Sequence, residues 1–202
     1  MLTLPLLRKM LNRAGTELKA NSKYLCELDS VAGDGDHGIT IGRMADVMKE
    51  KIEDTTIDTM RVLLDELGEA FMGIHGGSAG PLWGTVFTGM AEGIDDQAEL
   101  TDLELRKMFT QAKEDFMDIS KAKPGDKTMV DALYPAIDAI IETQGSLKEI
   151  MTAAASDAGA EQTSTMVARF GRAKNMGERS IGTKDPGAVS IAILFNGMAQ
   201  AL

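Results

Sequence analysis

Apolar residues recur at three- and four-residue intervals along almost every segment of this chain, and that spacing admits little besides helices. Leu6, Leu7, Met10, Leu11, Ala14 and Leu18 share one helical face, with Pro5 placed to open it in a first turn. Ile41, Met44, Val47, Met48 and Ile52 make a second face, and Ile57, Met60, Leu63, Leu64, Leu67 and Phe71 a third. Residues 86–94 resume the pattern, and Leu103, Met108, Ala112, Phe116 and Ile119 mark a fifth helix. Residues 130–141 give a sixth. Ser146 followed by Glu149 is a capping-box pattern, the serine accepting from the helix start and the glutamate reaching back. The alanine-rich helix it opens is predicted to run to Ala168. At 188–195 the chain is ambiguous, because Val189, Ile191, Ile193 and Phe195 alternate as a strand would. A lone strand has nothing to pair with, so a buried helix is expected. The reading is all-α: about eight helices, one domain over residues 1–202, and no sheet.

Between the helices the chain turns glycine-rich. Residues 29–43 carry three carboxylates, Asp29, Asp34 and Asp36, and four glycines. Like charges so close repel one another, while glycines at 33, 35 and 38 let the backbone fold tightly. Residues 33–38 match G-x-G-x-x-G, but that fingerprint needs a strand before it and close approach to a pyrophosphate. Here a helix precedes, and two aspartates would repel a bare phosphate. An EF-hand counted from Asp34 puts Ile39 where glycine belongs and Ala45 where the bidentate glutamate belongs. What remains is a divalent-metal site with oxygen ligands: Asp34 and Asp36 converging across Gly35, and Asp29 arriving from the end of the first helix. The plain alternative is a solvated turn whose aspartates cap the next helix.

Three later loops supply other chemistry. Residues 76–80, Gly-Gly-Ser-Ala-Gly, match the nucleophile elbow G-x-S-x-G, with His37 or His75 as an imagined base. That elbow is a strand-to-helix turn in a sheet, which this chain does not offer. A cradle of backbone N–H groups at a helix start, facing an anion, suits the residues better; close helix packing around Trp83 is the plain alternative. Gly125-Asp-Lys-Thr128 resembles the tail of a P-loop, but Ser120 stands where its first glycine belongs. Its lysine, threonine and aspartate remain free to reach a phosphate or cap a helix. Residues 171–187 are long for a loop, and within 171–180 three cations, Arg172, Lys174 and Arg179, stand against one glutamate, Glu178. Asp185-Pro186-Gly187 reads as a turn into the last helix.

Composition limits the partners. A formal charge of −10 excludes nucleic acid as the expected ligand, so any anion needs a metal or local cations to receive it. The single cysteine, Cys26, cannot form an internal disulfide, which suits a reducing cytoplasm. No apolar run approaches the roughly 18 residues of a membrane span, and the N-terminus has no signal-peptide order of charges. Fourteen methionines against nine aromatics imply a core of adaptable side chains.

Taken together, Gly-Asp-Gly-Asp-His-Gly at 33–38, Gly-Gly-Ser-Ala-Gly-Pro-Leu-Trp-Gly-Thr at 76–85, Pro-Gly-Asp-Lys-Thr-Met at 124–129, and Gly-Arg-Ala at 171–173 running through Gly-Glu-Arg-Ser-Ile-Gly to Asp-Pro-Gly at 185–187 resemble the nucleotide-binding L subunit of dihydroxyacetone kinase. Each alone is weak; four in order are specific. The resemblance implies an antiparallel barrel of eight helices with nucleotide in the loops at one end. It implies two magnesium ions on Asp29, Asp34 and Asp36, bridging the phosphates of ADP or ATP. By the same carry-over His37, Gly38, Ile39 and Thr40 line the nucleotide and Ser78 and Ala79 contribute from the glycine-rich turn. Met129 touches the base pocket, Arg172, Asp185, Pro186 and Gly187 complete it, and Ser120 occupies a nucleotide-contacting position. One departure stands out: the family turn commonly reads Gly-Gly-Ala-Ser-Gly, so the hydroxyl of Ser78 is displaced by one residue.

Phosphoryl transfer in such a site needs mainly positioning and charge neutralisation, and His37 is a contact rather than a nucleophile. The ketose is expected on a separate K subunit. The donor is expected to be freely exchanging ATP, or a phosphotransferase-system protein recharging resident ADP. A second copy of the chain is a further expected partner. Alternatives are the same site serving another short ketose or a carrier-bound acyl group, and a non-catalytic nucleotide sensor.

Overall fold

The computed structural model describes residues 1–202. Its elements are β1 (Leu2–Thr3), α1 (Leu4–Ala20), α2 (Ser22–Asp29), α3 (His37–Glu53), α4 (Met60–Met72), α5 (Ala79–Glu92), β2 (Glu99–Leu100), α6 (Asp102–Ile119), α7 (Val130–Glu142), α8 (Leu147–Asp157) and α9 (Pro186–Gln200). Two 3₁₀ segments, Glu161–Thr165 and Arg172–Ser180, lie between α8 and α9. No helix is long and apolar enough to cross a membrane.

Eight of the helices close a ring. α1 packs on α3, α3 on α4, and so on in chain order to α9, which packs back on α1. Each member runs opposite to its neighbour, so the turns fall alternately at two ends. At one end gather residues 30–36, 73–78, 120–129 and 158–185; at the other lie 54–59, 93–101, 143–146 and both termini. The inward faces, among them Leu7, Met44, Leu64, Phe87, Met108, Ile137, Ile150 and Leu194, meet in a continuous apolar core.

The ninth helix, α2, is the element that periodicity did not separate. The first helix bends at Asn21, whose φ of −94° and ψ of 5° leave the helical region; its side-chain amide donates back to Glu17 O at 2.9 Å. Asp29 therefore arrives on this short helix, packed against α3 and α9, and not from the end of the first.

Other expectations change in detail. The eighth helix stops at Asp157 and not at Ala168, because Ala158 at ψ 23° turns the chain into the 3₁₀ segment. α5 starts at Ala79, earlier than its apolar pattern, with Pro81 in its first turn where a missing N–H costs nothing. On α6 Leu103 and Ile119 are 63% and 52% exposed; the core face is Leu105, Met108, Phe109, Ala112 and Phe116. Residues 188–195 are helical and buried, as expected. A strand pair does exist, with Leu2 opposite Leu100. Both leucines are buried, and the pair covers the barrel end away from the glycine-rich loops.

That end is fastened by two arginines. Arg8 of α1 donates to Ile52 O, to Asp54 O at 2.8 Å and to Ile57 O at 2.7 Å. Arg106 of α6 donates to Ile141 O and to Thr143 O at 2.7 Å. Except for Ile57 O in the following loop, these carbonyls sit at the C-terminal ends of α3 and α7, where helices leave acceptors unpaired. Arg106→Met is expected to lower unfolding free energy by about 2 kcal/mol in urea. Because the loss falls at the far end, cation affinity at the acidic loop should not change.

Candidate functional site

The acidic loop folds as the sequence implied and adds a division of labour. One carboxylate oxygen from each of Asp29, Asp34 and Asp36 lies within 4.8 Å of the others. Asp29 Oδ2 also accepts from the N–H groups of Asp36, at 3.0 Å, and His37, at 3.3 Å. Asp29 thus caps α3. Asp36, at the N-cap position itself, makes no side-chain cap bond, so its carboxylate is free for the cluster. Burial and the neighbouring charges of Asp34 and Asp29 push the Asp36 carboxyl above the usual range. Asp34 is held below it by a hydrogen bond from Arg172, which reaches across from the second 3₁₀ segment. An all-oxygen, acidic set suits a hard divalent ion such as magnesium, and the raised Asp36 marks charge that Arg172 alone does not neutralise.

Beside the cluster lies a cavity of about 370 Å³, walled by all four loops at this end of the barrel. The structure brings twelve of the expected residues to it: Asp29, Asp34, Asp36, His37, Ser78, Ala79, Ser120, Met129, Arg172, Asp185, Pro186 and Gly187. Three do not face it. A Cβ on Gly38 would meet Ser22 O, so this residue is where α3 presses on α2. Ile39 is 53% exposed, and Thr40 is 2% exposed, beneath Gly76. Their neighbour His37 is the member of that run that reaches the cavity.

The glycine-rich turn supplies donors. None of the N–H groups of Gly76, Gly77, Ser78 and Ala79 has an acceptor within the chain. Gly77 has φ 61°, and a Cβ on Gly76 would clash with Thr40 Oγ1, so the turn can present bare backbone only with glycine at these positions. Successive free N–H groups at a helix start form an anion-binding concavity. Of the two imagined bases for the G-x-S-x-G match, His75 does not line the cavity with Ser78, and His37 is engaged with Ser190.

His37 Nε2 lies 3.1 Å from Ser190 Oγ, which donates its own proton to Gly187 O at 2.8 Å. Ser190 must therefore accept, which assigns Nε2 as the protonated nitrogen. Burial lowers the His37 pKa, opposed by Asp29; the ring is neutral at pH 7 and ties the start of α3 to that of α9.

Two buried polar residues, Asp131 and Ser190, were not read from the sequence as parts of the site, and a third, Lys127, was read as free to reach a phosphate and is engaged elsewhere. Lys127 donates to three carbonyls of the 163–183 stretch, which leaves its ammonium no proton for a phosphate. Asp131 accepts from Thr128 N–H at 2.8 Å and from Gly125 N–H, shaping the turn before α7. Ser190 fixes His37. A lysine or aspartate after a glycine turn signals only capacity to bond; the partners of Lys127 lie far along the chain, where spacing carries no information.

Asp185 caps α9 through Ala188 N–H at 2.7 Å, and burial pushes its carboxyl up to about 7. A carboxyl raised above its unfolded value contributes stability that is full below that value and is lost as pH rises through the folded one. Asp185→Asn keeps an acceptor for Ala188 and removes this loss. The variant is expected to resist urea better than wild type at about pH 8, with the advantage gone near pH 4. Urea midpoints across that range check it.

A family model described as the DAK2 domain matches residues 31–200. The chain is 35% identical over 196 residues to the PEP-dependent dihydroxyacetone kinase ADP-binding subunit DhaL of Escherichia coli (strain K12), covering 95% of this chain and 93% of that protein. It is 30% identical to the PTS-dependent dihydroxyacetone kinase ADP-binding subunit DhaL of Lactococcus lactis subsp. lactis (strain IL1403), over the whole of both. L-erythrulose kinase of Pectobacterium atrosepticum is 35% identical over 201 residues, covering 95% of this chain and 34% of that longer protein. Among solved structures, the dihydroxyacetone kinase of C. freundii in complex with AMP-PNP and Mg2+ superposes with a TM-score of 0.74 at 26% identity, over 98% of this chain and 34% of that one.

Proposed function

The chain belongs to the DAK2-domain family, and from that footing we propose that it is the nucleotide-binding subunit of a dihydroxyacetone-type kinase. In this reading residues 1–202 act as one unit that holds magnesium ADP or ATP and passes a phosphoryl group to a ketose carried by a separate K subunit. The observation that carries it is the pairing of an acidic cluster with four free N–H groups on one cavity.

Asp29, Asp34 and Asp36 would hold magnesium, two ions in the full reading. Bound magnesium would supply neutralisation of phosphate charge. The chain's own groups do the rest. The N–H groups of residues 76–79 orient phosphate oxygens without bringing a side chain near them. Arg172 offers a planar pair of donors suited to a phosphate. Met129 and Gly187, packed side by side, give the base an apolar wall. His37, neutral and engaged with Ser190, holds the loop and moves no proton.

The acceptor is best supplied from outside. Val31, Met117, Ile119, Phe170 and Ile181 are exposed on the elements at the cavity end, and apolar groups of this kind suit burial against a protein partner. That partner is the ketose-carrying K subunit. The donor is ATP, or a phosphotransferase-system protein that recharges resident ADP; a second copy of the chain completes the proposed assembly. A reducing cytoplasm suits the lone Cys26.

A coupled assay tests this. The chain is mixed with a K-type subunit and dihydroxyacetone, with ATP in one arm and a phosphotransferase donor in the other, and bound nucleotide is weighed by native mass spectrometry. Transfer in either arm with magnesium nucleotide on the chain is expected. Bound nucleotide without transfer to any acceptor would make the chain a sensor. Transfer to erythrulose but not dihydroxyacetone would favour the second reading, another short ketose, which the erythrulose kinase relative supports.

A further inference from the structure

Residues 164–182 leave the fold and return to it at one place. Gly182 N–H donates to Ser164 O at 2.7 Å. Beside that bond, the Lys127 ammonium donates to Thr163 O at 2.9 Å, to Ser180 O at 2.6 Å and to Thr183 O. An ammonium has three donors and no acceptor capacity, so these carbonyls use it completely. One lies where the excursion starts and two where it ends. A single side chain, 4% exposed and anchored on a different loop, pins both.

The anchor is itself fixed. Lys127 holds φ 59°, uncommon for a residue with a side chain, and the adjoining turn is gripped by Asp131, 3% exposed, through Gly125 and Thr128. The excursion is also internally braced, since Ser180 Oγ accepts from Ala168 N–H at 2.9 Å and donates to Gly177 O. Beyond the clamp its attachments are light: Arg169 N–H to Asp126 O at 3.1 Å, an Arg169–Asp126 pair at 3.7 Å with an exposed arginine, and Arg172 to Asp34. Phe170, Arg172 and Ala173 of this excursion form part of the cavity wall. The result is a braced flap, firmly held at its base and weakly at its tip.

We propose that Lys127 is a positioning residue that clamps residues 164–182 closed against the cavity, so that its three bonds set how long a nucleotide stays bound. The gating half rests on the nucleotide reading above; the clamp half does not. The side chain works at a distance from the ligand, by keeping both ends of the flap together and Arg172 in reach of the acidic cluster.

The flap offers its own probe, because Arg169, Arg172, Lys174 and Arg179 are exposed tryptic sites within it. Lys127→Met in the full chain is expected to be nicked at these sites about tenfold faster than wild type, by opening of the flap alone. Its helical melting temperature should stay within a few degrees, which a general loss of structure would not allow. ADP chased from the magnesium-loaded variant should leave about tenfold faster. In the wild-type chain, saturating magnesium ADP should slow the same nicking, a readout that needs no variant. Equal nicking of the variant and wild type overturns the clamp. Faster nicking with unchanged ADP release overturns the gate, as does wild-type nicking that ignores ADP. A wild-type chain that binds no nucleotide overturns the functional reading and the gate with it, while unequal nicking would still uphold the clamp.

Discussion

Asp36→Asn should weaken magnesium-nucleotide retention by about a thousandfold, and should make the chain harder to unfold in magnesium-free buffer. The first effect is electrostatic. A unit charge about 4 Å from another is worth roughly 4 kcal/mol at an effective dielectric of 20, and about 4 kcal/mol is a thousandfold in affinity. The helix start should survive, because Asp29 and not Asp36 caps α3 with its side chain. The second effect follows from the raised Asp36 carboxyl. Its contribution to stability is present below the unfolded pKa and lost as pH rises through the folded one, so at neutral pH the ionised group is a burden. Asparagine removes it. Titration calorimetry with magnesium ADP and a urea series without magnesium read the two signs separately. Undiminished retention in the variant would remove Asp36 from the metal set.

Gly38→Ala should lower affinity and stability together, and by the larger structural margin. An added Cβ would lie 1.8 Å from Ser22 O and 2.8 Å from Cys26 Sγ. The first of these atoms is backbone within α2 and cannot swing aside, so α2 and α3 must part. Overpacking of this kind costs about 3 kcal/mol, roughly 6–12 °C in melting temperature for a chain of this length. α2 carries Asp29, whose carboxylate bridges to the start of α3. Parting the helices therefore pulls one carboxylate of the cluster from the other two. Differential scanning fluorimetry and magnesium titration should fall in step, unlike the opposed pair expected for Asp36→Asn. A variant that melts like wild type would show that the α2–α3 contact has room to spare.

The sequence was most readable where the forces are local. Three- and four-residue periodicity located six of the eight barrel helices, Ser146 with Glu149 forms the capping box that marked the seventh, and the last was placed because a lone strand has no partner. Thr101 with Glu104 forms another capping box from the same signal, which had not been picked out. The acidic loop was legible because crowded carboxylates are unusual whatever surrounds them. Reading failed where one side chain acts across the chain. Arg8 caps a helix end 44 to 46 residues away, and the partners of Lys127 are 36 to 56 away. The break at Asn21 also escaped, since the apolar spacing runs on to Leu18 and gives no stop before the acidic loop. Gly38 shows a subtler limit: its place in a motif marks it as important, but only the α2–α3 crossing says that its task is packing.

The alternating ring has one more consequence, and it concerns the two ends of the polypeptide. α1 begins and α9 finishes toward the face opposite the cavity, on two helices that pack against each other. Anything joined covalently to either terminus hangs from the back of the barrel and leaves the mouth clear. The same module can thus serve as a free-standing chain or as one section of a longer polypeptide without remodelling its loops, because the point of attachment and the point of chemistry are a full helix length apart.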